Sequence, residues 1–89
     1  MSRAFVKEDG GGRAHRRIDL PARDDPAFDE AAARVLLQAS LDGDTESAEV
    51  ATGYYWGERS LRPHVERILA AARESRDEPL ERAASRFLR

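Results

Sequence analysis

Tyr54, Tyr55 and Trp56 are the side chains of this sequence best suited to a specific contact, because three of its six aromatic residues stand consecutively. Successive helical positions point about 100° apart, so the three cannot all enter one core and at least one is expected to stay accessible. Aromatic rings with a polar tip dominate protein–protein hot spots. With Glu58, Arg59 and Arg62 beside them, Tyr54, Tyr55, Trp56, Arg59 and Arg62 read as a protein-binding patch. The competing reading ends the helix there and folds all three rings over a small core. Base stacking is a third use of such rings, opposed by Glu46, Glu49 and Glu58, which would repel phosphate.

Arg13, His15, Arg16 and Arg17 form a compact basic cluster just after Gly10, Gly11 and Gly12. Such a cluster suits phosphate or an acidic protein surface, and a solvated arm is its bland alternative. Three phosphate contacts would give a salt slope of only about -2.7 on duplex DNA. The acidic body would repel the same polymer, so an acidic protein surface ranks above nucleic acid as the target of the arm. A nucleic-acid accessory acting through the Arg-rich arm is the alternative function, with weak nucleic-acid contact.

The remaining inventory of reactive groups is thin. The chain has no cysteine, which excludes disulfides, thiolate nucleophiles and Cys-ligated zinc. Gly-rich phosphate loops, nucleophile elbows and a His pair on one helical turn are all missing from the sequence. His15 and His64 would share a site only if the arm folded back, and His64 reads instead as a partly buried ring bonded locally. Asp42, Asp44 and Glu46 lack the glycine and distal Glu of a calcium loop, so capping a turn is preferred to cation binding. The expectation is no enzyme, no cofactor and no metal.

These residues must be held by helices. Asp25 as cap, Pro26 in the first turn, and the stripe Phe28, Ala31, Ala32, Val35, Leu36, Ala39, widened by Leu37 and Leu41, predict a helix ending at Gly43. Asp44 or Thr45 caps a second, with Ala48, Ala51 and Tyr55 on one face, Val50 and Tyr54 on the next, Gly53 inside the pattern, Gly57 as terminator, and an end between Thr52 and Trp56. The third carries Leu61, Val65, Ile68, Leu69 and Ala72, with Ser60 as cap, Pro63 in the first turn and Arg62 pushed toward extended geometry. The fourth starts at Asp77 or Glu78, has Pro79 just inside, and aligns Leu80, Ala83, Ala84, Phe87 and Leu88. Ile18 and Leu20 alternate as in an extended strap.

At 89 residues and 10.0 kDa, with 36% charged residues, the chain has room for one small domain. The predicted fold is all-α: a small bundle of three or four short helices over residues 23–89, with a flexible basic N-terminal arm over residues 1–22. A body of this size buries only about 60% of its unfolded surface, so a homodimer over a residual apolar face is one expectation. No apolar run approaches a membrane span, and the N-terminus lacks the apolar region of a secretory signal, so the expected compartment is cytoplasmic.

The opening Met1-Ser2-Arg3-Ala4-Phe5-Val6-Lys7-Glu8-Asp9 resembles that of some bacterial proteins related to the GreA/GreB transcription elongation factors. In those proteins it precedes a long acidic-tipped helical hairpin and a β-rich domain that holds RNA polymerase. The likeness covers nine residues, no β-rich segment is expected within these 89 residues, and no functional residue is carried over. What it implies is a transcription-linked partner, RNA polymerase or an associated factor. The function expected from the whole sequence is a small non-enzymatic protein–protein interaction module.

Overall fold

The computed structural model describes residues 18–89. Arg13, His15, Arg16 and Arg17 lie outside the described residues. Those described form α1 (Phe28–Asp42), α2 (Thr45–Thr52), a 3₁₀ turn (Arg59–Leu61), α3 (Arg62–Ser75) and α4 (Glu78–Leu88), with no strand among them. This is the all-α bundle that the four stripes predict. α1 packs against α2, α3 and α4, and α3 packs on α4, whereas α2 meets no helix other than α1. None of these helices is long and apolar enough to cross a membrane.

The core draws on every helix. Leu36 and Leu37 of α1, Ala48 of α2, Leu61 of the 3₁₀ turn, Val65 and Ile68 of α3, and Ala83, Ala84 and Phe87 of α4 form one buried cluster. Val35, Leu69, Leu80 and Leu88 pack at its margin, so the stripes face inward as patterned. Leu41 and Ala51 are exceptions, and both are exposed.

Local boundaries correct several expectations. Asp25 does not cap α1; its carboxylate accepts from the Ala27 amide at 2.8 Å in a turn that precedes the helix, and Ala27 stands at the cap without a side-chain bond. Ser60 does not cap α3. Glu58 accepts from the Ser60 amide and hydroxyl, and a 3₁₀ turn leads directly into the helix. Arg62 is helical (φ -56°, ψ -44°) despite preceding Pro63, since the continuing turn outweighs the steric bias toward extended geometry. Asp44 and Asp77 are true caps, accepting from Ser47 and Leu80 amides. Ile18 and Leu20 are half-buried but belong to no strand.

α1 and α3 end alike, with one difference in chemistry. After α1, Gly43 is left-handed (φ 75°) and the Asp44 amide donates to Ala39 O at 2.9 Å. After α3 the same closure places Asp77 N–H on Ala72 O at 2.9 Å, but Arg76 occupies the left-handed position (φ 59°). A side chain there costs about 1–2 kcal/mol, partly offset by the chain entropy that a glycine would lose. Arg76→Gly is therefore expected to stabilise the fold by about 0.5–1 kcal/mol, read as a higher urea midpoint with unchanged slope.

Candidate protein-binding surface

Gly53, not Gly57, terminates α2. It is left-handed (φ 78°), and its amide donates to Glu49 O, so the chain leaves the helix before the aromatic run. Tyr54, Tyr55 and Trp56 thus lie in the connection to α3 rather than on a helical face, and the shared face of Ala48, Ala51 and Tyr55 does not form. Thr52, fully buried, fixes the exit with one hydroxyl. Its Oγ1 donates to Ala48 O at 2.8 Å and accepts from the Tyr54 amide at 3.1 Å.

The three rings then take separate roles. Tyr54 is half-buried, its ring 6.3 Å from Phe28, and its hydroxyl donates to Asp29 Oδ1 at 2.7 Å. Trp56 stands edge-on to Phe87, with centroids 4.9 Å apart, and its amide donates to Glu49 Oε2 at 2.9 Å. Both help close the core. Tyr55, between them, is 76% exposed. The accessible member that the sequence requires is this one.

Tyr55 is not isolated. With Val50, itself 64% exposed, it lines an open groove of about 350 Å³ completed by Glu46, Glu49 and Gly53. The groove lies on α2 and its exit, on a helix that among the described residues meets no other helix than α1. Arg59 is exposed on the 3₁₀ turn, and that turn begins where the Glu58 amide donates to Tyr55 O. Arg62 serves the fold: its guanidinium donates to Leu88 O at 2.9 Å and so closes the end of α4.

The sequence did not single out Arg23. Its Nη1 donates to Thr52 O at 3.0 Å, at the negative end of α2, while the guanidinium lies over the Phe28 ring at 5.1 Å. No local spacing announces a contact across 29 residues; an arginine just before the first helical stripe was the available signal. Arg23 and Tyr54 together pin the α2 exit to the start of α1, which fixes where Tyr55 points.

The polar residues considered for chemistry are largely occupied by structure. Arg67 Nη2 lies 2.8 Å from His64 Nδ1, one turn along α3, so the His64 ring is bonded locally. Asp44 caps α2, and Gln38 donates to Asp42. Among the described residues, no group of three or more His, Asp or Glu is arranged to hold a metal ion.

The hydrogen bond to Asp29 raises the Tyr54 pKa above 10.0, aided by burial and by the carboxylate's negative charge. The folded state holds this proton more tightly than the unfolded chain, so its stabilisation is complete below pH 10 and is lost as pH rises through the folded pKa. Wild type is expected to lose stability more steeply than Tyr54→Phe above pH 10. Urea titrations at stepped pH measure it, and parallel curves would remove the Asp29 contact from the account.

Comparison with family models, with curated proteins and with solved structures finds no match to this chain.

Proposed function

We propose that this chain is a small non-enzymatic protein–protein interaction module, and that its contact surface is Tyr55 with Val50 in the groove on α2. One observation carries the reading: a tyrosine and a valine, both mostly exposed, share a groove held in place by a dense set of local bonds. Tyrosine supplies large contact area at low entropic cost, and burying both residues on a partner recovers apolar area left in water by folding. Arg59, four residues further along the chain, supplies an exposed positive charge, whereas Tyr54, Trp56 and Arg62 act as the frame. The likeness of Met1–Asp9 to proteins of transcription elongation supports looking first at RNA polymerase and its associated factors.

Tyr55→Ser tests the reading, since it removes the ring without touching a core contact. It is expected to abolish capture of the partner bound by the parent chain, at unchanged thermal midpoint. Ala70→Ser, on an exposed position of α3, should leave capture intact. Equal capture by all three chains would refute the surface.

A further inference from the structure

We infer that the groove on α2 is a docking site for the chain's own N-terminal segment, residues 5–17, which would compete there with an outside partner. This rests on the reading of Tyr55 and Val50 as a binding surface. The groove is apolar at Val50 and Tyr55 and carries the carboxylates of Glu46 and Glu49. An occupant must therefore offer apolar side chains together with positive charge. Residues 43–58, which include all of α2, contain four carboxylates and no lysine or arginine. Residues 1–17 contain five Lys and Arg against two carboxylates, and they add Phe5 and Val6. The composition is complementary on both counts.

Where the chain enters supports the same occupant. Ile18 and Asp19 line a small cavity with Val35, Ala39, Asp42 and Asp44, so the polypeptide arrives beside the cap that precedes α2. An eight-residue helix is about 12 Å long, and five extended residues span about 17 Å. Arg13–Arg17 can therefore run the length of α2 past Glu46 and Glu49. Gly10–Gly12 permit a reversal there, which returns Phe5 and Val6 to Val50 and Tyr55. The tether raises the local concentration to the millimolar range, so a weak contact suffices. A second copy's α3 and α4 is the other Arg-rich surface, but Arg62, Arg73, Arg82 and Arg86 are already engaged within the fold.

The chain has no cysteine, so Ala14→Cys accepts a single nitroxide label in the full-length protein. Amide signals of Glu46–Gly53 are expected to weaken roughly two-fold or more relative to the reduced label, and to recover in part near 1 M salt, where the Debye length is about 3 Å. Glu46→Lys should reduce the effect. Unchanged α2 signals, or broadening centred on another face, would overturn the proposal. So would broadening in unlabelled ¹⁵N chains mixed with labelled ¹⁴N chains, which would assign the contact to a second copy. If the arm fails this test while Tyr55→Ser still loses its partner, docking is refuted and the interaction surface stands.

Discussion

Phe87→Ala is expected to cost about 3–5 kcal/mol and to leave much of the chain unfolded without denaturant. Phe87 is among the largest fully buried side chains, and it packs in the common cluster with residues of α1, the 3₁₀ turn and α3. It also packs against the Trp56 ring, with centroids 4.9 Å apart. Five of the eleven residues of the buried cluster are alanines, which have no side-chain reach with which to fill the cavity. Trp56 fluorescence and near-ultraviolet dichroism should both shift to unfolded values. A variant that melts within a degree or two of wild type would show that the core closes without Phe87.

Gly53→Ala is expected to cost about 2–3 kcal/mol, from two sources that a control can separate. The left-handed φ of 78° disfavours any Cβ by about 1–2 kcal/mol. A Cβ at this position would also run into the Arg23 guanidinium, forcing it off Thr52 O and the Phe28 face. Gly57 has a similar φ of 89° but open space around its Cβ direction, so Gly57→Ala should cost only the backbone share. In a domain of this size each kcal/mol is worth about 4–8 °C, which makes the difference readable in a melt. The gap should close in the Arg23→Ala background. Equal losses at both glycines would remove Arg23 from the account of the α2 exit.

Much of the fold was legible because helical signals are local. Asp44 and Asp77 as caps, Pro63 and Pro79 in first turns, Gly43 at a helix end, and the stripes of α3 and α4 all depend on residues within one or two turns. Some errors are themselves local, as with Asp25 and Ser60 read as caps, whereas those at the site fall where a longer range decides. Gly53 reads as a weak interior residue until Arg23, 30 positions earlier, is seen to close the helix beneath it. Tyr54 reads as a contact residue until its hydroxyl is placed on Asp29, and Arg62 until its guanidinium is placed on Leu88 O. The consecutive aromatics did announce that one ring must stay outside. Which ring depended on the geometry of the exit from α2, and that is a tertiary property.

The central claim is that position 55 faces a partner. A photo-crosslinking amino acid placed there, with the same group at position 70 as reference, reports this directly in cells that express the chain. A discrete adduct at 55 and none at 70, lost when Val50 is changed to Glu, is the result this account predicts. Equal labelling at 55 and 70, or no adduct at 55 while the parent chain still captures a partner, would contradict it.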